Sequence, residues 1–292
     1  MKRAIFLMVI YFIFSMIAGF FQAGYLIIRS LLAGGHVLEA MSNVQSSPEM
    51  ISTLGWAMLL SQVVMIWFMW HFRYLKPVKD FGAKLSWKVF LLAVPMVVAF
   101  GYSLNCVNEW ISLPNIVEAQ LNGMVKSVPG VLSIVVGAPL MEELMFRGAI
   151  EGHFLRQGKS PLFAILVSGL LFGLYHMNPA QIPFAFLLGC LLGWLYYRTG
   201  SLWPSIVCHA VNNGLAVILS FVFVDKDNIS DIITNPALEW GLALAALFVT
   251  ALLVWVMARI VKKPEPVMEL EGSEMIPPRI MKTVETTEDS LS

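Results

Sequence analysis

A few polar residues stand in stretches that are otherwise Leu, Ile, Val, Phe, Gly and Ala, and their types could do chemistry. They are Glu142 and Glu143 with Arg147 four positions on, His176 four after Phe172, and His209 with Asn213 four after it. An ionisable group at membrane depth costs several kcal/mol and is a functional hypothesis by default. Successive helical residues point about 100° apart, so Glu142 and Glu143 serve different faces. Glu143 and Arg147, at i and i+4, share a face and lie within ion-pair reach. That leaves Glu142 for a cavity, where a carboxylate can act as a general base. Read alone, the trio also fits a charge cluster at a helix end, the lesser of its two readings, whereas a lone His176 is more often a satisfied polar contact than a catalyst. His209 and Asn213 lie one turn apart and can donate to one small object, as side chains do that stabilise an oxyanion. Asn212 points about 100° away and reads as a helix-packing hydrogen bond.

Together these groups suit hydrolysis of a peptide bond by activated water. Other intramembrane protease signatures are missing: there is no H-E-x-x-H for a metalloprotease helix, no G-x-G-D and no G-x-S-G. Cys106, Cys190 and Cys208 are an odd, scattered set, which argues against a disulfide framework or a Cys-rich metal site.

The elements that must hold these residues are membrane helices. The 292-residue chain is 58% hydrophobic and 13% charged, against about 25% charged in soluble domains. Its net charge of zero offers no argument for nucleic acid. Hydropathy predicts an all-α, polytopic bundle of about eight transmembrane helices, at roughly 4–28, 51–70, 87–107, 129–150, 161–177, 182–198, 202–223 and 237–258. The catalytic core falls in the last five. The first run, Ala4 to Ile28, is too long for a signal peptide and reads as a retained helix. Eight crossings put sixteen of the nineteen Lys and Arg on the side of the N-terminus, leaving only Arg29, Lys126 and Lys226 opposite. The expectation is therefore an integral protein of a bacterial inner membrane with both termini cytoplasmic. Residues 1–258 form the membrane domain, and 259–292, rich in Pro and acidic residues, read as a disordered cytoplasmic tail. Glu109 to Lys126 reads as an interfacial amphipathic helix or a packed loop.

E-E-x-x-x-R, F-x-x-x-H and H-x-x-x-N, in this order across a polytopic membrane protein, resemble the CPBP family of CAAX prenyl protease type II and bacteriocin-processing or immunity proteins. The resemblance covers about 129–223. It implies an intramembrane endopeptidase in which Glu142 activates water with help from His176. His209 and Asn213 would stabilise the oxyanion, and Glu143, Arg147 and Phe172 would support the site. The family is described both as metal-dependent and as glutamate-dependent. A Glu/His/His set could bind zinc, but no metal is favoured, because Asn213 is a poor zinc ligand. The expected partners are the bilayer and a membrane-associated peptide or protein, such as a peptide precursor or bacteriocin, and no nucleic acid. The rival readings are a non-catalytic scaffold or immunity protein keeping the same fold, and a transporter with a proton relay. The lack of an internal repeat weakens the second. One tension is built into the helix count: it puts His176 near the outer end of its helix and His209 about 10 Å in from the inner side. The two meet only if the fifth helix is short, tilted or displaced inward, which Pro179 and Pro183 permit.

Overall fold

The computed structural model describes residues 1–34, 48–75, 86–223 and 229–261. Lys76, Lys79, Lys84, Lys226 and the tail beyond Val261 lie outside them, and with them most of the tail expected at 259–292. The described residues form nine helices: α1 Lys2–Leu32, α2 Pro48–His71, α3 Trp87–Ile111, α4 Glu118–Met124, α5 Val128–Arg156, α6 Pro161–Tyr175, α7 Ile182–Thr199, α8 Trp203–Val222 and α9 Pro236–Ile260. The protein is an all-helical membrane bundle, as the composition requires.

Seven helices are long and apolar enough to cross a bilayer; α6 is a shorter apolar helix of 15 residues. At 1.5 Å per residue it reaches about 22 Å, short of a 30 Å hydrocarbon core. Among the described residues, the expected set of about eight membrane helices is thus present as seven long helices and the shorter α6. The amphipathic stretch resolves into both alternatives: a turn after Ile111, then the short α4.

Local chemistry sets the helix ends. Ser127 and Ser160 accept backbone N–H groups at the starts of α5 and α6, and Asn235 does so for α9. Pro161, Pro183 and Pro204 stand in first turns, where the missing N–H is not needed. Gly200 ends α7 at φ 65°, a left-handed conformation that glycine adopts without a Cβ clash.

α5 is not a regular helix. Ser133–Gly137 and Leu144–Glu151 are π-helical, and the α-helical turn Ala138–Glu143 lies between them. Ala138 N–H bonds back five residues to Ser133 O. Pro139 has no N–H to hold the ordinary ladder. Each π turn rotates the residues that follow, and such turns recur at functional sites. Around α5 the helices pair as α1 with α2, α6 with α7, and α3 with α9. Phe146, Met145, Ile150 and Phe172 sit in a fully buried apolar core beneath the polar groups.

Candidate active site

The two glutamates of α5 diverge as their spacing requires. Glu143 and Arg147 are completely buried. Arg147 Nη1 donates to Glu143 Oε1 at 2.8 Å, and Nη2 donates to the Gly189 carbonyl at 2.9 Å. The guanidinium also stands over the Phe172 ring, 4.7 Å from its centroid, an attraction of about 0.5–2 kcal/mol. Gly189 allows this approach: a Cβ there would lie 2.9 Å from Phe172 Cδ1 and 3.4 Å from Arg147 Nη2. One turn on, a Cβ at Gly193 would lie 2.5 Å from Glu151 Oε2.

His209 links the buried pair to Glu142. Its Nδ1 lies 2.8 Å from Glu143 Oε1 and its Nε2 3.8 Å from Glu142 Oε2. An ionised carboxylate only accepts, so Nδ1 is the donor toward Glu143. Glu143 Oε1 thus takes one hydrogen bond from α5 and one from α8, which fixes the imidazole plane. Glu142, in contrast, reaches a cavity of about 930 Å³ whose wall also includes Phe172, His176, His209 and Asn213.

His176 lies just past the end of α6. Its Nδ1 is 2.8 Å from the Phe172 carbonyl. A carbonyl accepts, so Nδ1 carries the proton, and in the neutral ring Nε2 keeps its lone pair. The shortness of α6 resolves the depth problem. The His176 and His209 rings both pack edge-on against Phe172, at centroid distances of 5.0 and 5.6 Å. The chain leaves α6 through Met177, a non-glycine residue at φ 48°, and then buried Asn178. Asn178 Oδ1 accepts Ile116 N at 3.1 Å and its Nδ2 donates to Asn115 Oδ1 at 2.9 Å. Asn178 thereby fastens the 176–181 turn to the loop before α4.

Asn213 is on the cavity wall, but one of its N–H groups is engaged: Nδ2 donates to the Ile134 carbonyl at 3.0 Å, within the first π turn. Asn212 Nδ2 donates to Asn213 Oδ1 at 3.3 Å. Its own Oδ1 would lie 3.0 Å from a Cβ at Gly101, so it sits at the contact between α8 and α3.

The structure therefore gathers Glu142, Glu143, Arg147, Phe172, His176, His209 and Asn213 into one neighbourhood. Glu142 Oε2 and His209 Nε2 face each other at 3.8 Å, while the Nδ1 atoms of His209 and His176 are engaged by Glu143 and by the Phe172 carbonyl.

Sequence reasoning passed over several groups. Glu151 is completely buried with neither carboxylate oxygen hydrogen-bonded. Its place four residues after Arg147 extends the Glu143–Arg147 face and was the available signal. Tyr11, Ser15 and Ser61 line the cavity from α1 and α2. They gave no signal beyond isolated hydroxyls in apolar runs.

Comparison with known proteins bears out the resemblance carried by the three motifs. Residues 124–215 match the family described as type II CAAX prenyl endopeptidase Rce1-like. Over 89 residues the chain is 33% identical to a Bacillus subtilis protein named "Putative membrane peptidase YdiL", covering 30% of this chain and 36% of that one. Over 102 residues it is 34% identical to "Uncharacterized protein YyaK" of Bacillus subtilis, covering 30% and 31%. The chain thus spans about a third of the length of the curated relatives it matches. No solved structure matches it significantly.

Proposed function

We propose, from a core that matches the type II CAAX prenyl endopeptidase family, that this protein is an intramembrane endopeptidase. It hydrolyses a peptide bond in a membrane-associated peptide or protein. The observation that carries this reading is the disposition of Glu142: a buried carboxylate on a cavity wall, 3.8 Å from an imidazole that a second carboxylate orients.

In this mechanism Glu142 takes a proton from a cavity water as the water oxygen bonds to the scissile carbonyl carbon. The carbonyl π pair moves onto oxygen. His209 Nε2, when it carries a proton, and the remaining Asn213 N–H donate to that oxyanion. Collapse breaks the C–N bond, and the proton held by Glu142 passes to the leaving amine. His176, with Nδ1 on the Phe172 carbonyl, offers Nε2 to orient the water. Glu143 and Arg147 act through His209: they hold its ring and make no contact with substrate. No step in this scheme runs through a metal.

The protein resides in a bacterial cell membrane with both termini on the cytoplasmic side, a topology supported by the distribution of Lys and Arg. Counting α6 as a crossing despite its length keeps the two termini together. Its substrates are peptide precursors, bacteriocins or membrane-anchored proteins.

The test compares purified wild type, Glu142→Ala and His209→Ala on a synthetic library of apolar peptides in detergent, with and without chelator. Wild type is expected to release products that both variants fail to release, regardless of chelator. Full activity in Glu142→Ala would sink the mechanism, and loss on chelation of the wild type would restore a metal.

A further inference from the structure

A peptide that reaches Glu142 must bring its backbone N–H and C=O groups into apolar surroundings, where each unsatisfied group costs several kcal/mol. The groove has to supply partners. One row does so outside the matched segment 124–215. Tyr11, Ser15 and Gly19 follow one another at four-residue spacing on α1, and all three line the cavity that holds Glu142. Tyr11 is buried, although α1 exposes most of its large side chains to the surroundings. Ser15, Ser61 of α2 and Tyr175 of α6 line the same cavity as Tyr11, and Ser61 Oγ donates to the Met58 carbonyl at 2.8 Å. The Tyr11 ring packs on Tyr175 at a centroid distance of 5.6 Å. Four hydroxyl-bearing side chains thus stand on one wall of the cavity, and each hydroxyl can both donate to and accept from the backbone of an incoming strand. At Gly19 the wall has no side chain, and a Cβ added there would meet no other part of the protein within 4 Å.

We infer that α1 is one wall of the substrate groove, and that the Tyr11–Ser15–Gly19 row positions an extended, apolar peptide segment by hydrogen bonding its backbone. Eight helical residues rise about 12 Å, enough to accompany roughly four residues of extended chain. Tyr11 is thus a substrate-positioning residue from a part of the chain that the family match does not reach. The inference rests on the protease reading above.

The test uses the full chain in detergent and the same synthetic peptide library, with cleavage followed by mass spectrometry. Tyr11→Phe removes one hydroxyl and keeps the ring. Gly19→Leu fills the groove without striking the protein. Gly24→Leu is the control: a Cβ there also meets nothing within 4 Å, and Gly24 is not among the cavity-lining residues. Tyr11→Phe is expected to lower kcat/KM about three- to tenfold, mainly through KM, as for the loss of one hydrogen bond. Gly19→Leu should lower it by tenfold or more, and Gly24→Leu should match wild type, all with unchanged unfolding midpoints. Wild-type kinetics in both Tyr11→Phe and Gly19→Leu, beside an inactive Glu142→Gln, would overturn the inference and leave the protease reading standing. So would a loss in Gly19→Leu with none in Tyr11→Phe, the result for a wall that meets only hydrocarbon. If wild type releases no product that Glu142→Gln fails to release, the protease reading falls and this inference with it.

Discussion

Replacing Arg147 by Met is the sharpest perturbation of the framework behind the site. The side chain is completely buried, so no solvent can take over its role. It gives up the 2.8 Å ion pair with Glu143, the 2.9 Å bond to the Gly189 carbonyl and the stacking over Phe172. Breaking a buried pair by deleting one partner costs about 3–5 kcal/mol, because the other charge stays buried and uncompensated. An orphaned carbonyl costs about 1–3 kcal/mol in its own right. These overlap rather than add, so a loss of about 3–5 kcal/mol is expected. Glu143→Leu should cost a comparable amount, since it strands the guanidinium and leaves His209 Nδ1 without its acceptor. The double variant Glu143→Leu/Arg147→Met removes both charges together. It should be more stable than the sum of the single losses by about 1–3 kcal/mol, the size of coupling found for residues in direct contact. Equilibrium unfolding in mixed micelles measures all four corners of the cycle. Additivity to within about 0.5 kcal/mol would refute the claim that these residues form one electrostatic unit.

Further outcomes follow from the same geometry. Gly193→Ala places a Cβ 2.5 Å from Glu151 Oε2, so it should destabilise by about 1–3 kcal/mol through overpacking, and Glu151→Ala in the same chain should recover much of that loss in thermal unfolding. Asn178→Ala cuts the tie between the 176–181 turn and the loop before α4; protease nicking near Asn115 and Met177 should rise, with a loss of about 1–3 kcal/mol. Phe172→Leu removes the ring on which both imidazoles and Arg147 pack, so cleavage should fall in steady-state assays while helical circular dichroism is retained.

What the sequence disclosed and what it hid divide along physical lines. The Glu143–Arg147 pair was legible because an i,i+4 spacing in a helix dictates its geometry. Asn212 was legible as a packing contact for the same reason, its direction differing from that of Asn213. The meeting of His176 and His209 was not legible in detail. It depends on α6 ending at Tyr175 and on a left-handed Met177, and hydropathy carried the helix on to residue 177. The π turns that flank Glu142 and Glu143 left only Pro139 as a trace. Asn213 had a partner, the Ile134 carbonyl, that only the π turn makes available. Tyr11 and Ser15 were invisible because a lone hydroxyl in an apolar helix is tolerated without function. Their significance arises from where α1 packs, which no local pattern encodes.

The most direct measurement is the cleavage rate of Glu142→Gln against wild type on one peptide from the synthetic library that the wild type cleaves. Gln keeps the size of the side chain and its place on the cavity wall but cannot take the proton from water. The account predicts a fall in kcat of about 10²- to 10⁴-fold, the usual worth of a positioned general base, with the fold and peptide binding retained. A Glu142→Gln protein that cleaves at the wild-type rate would contradict it.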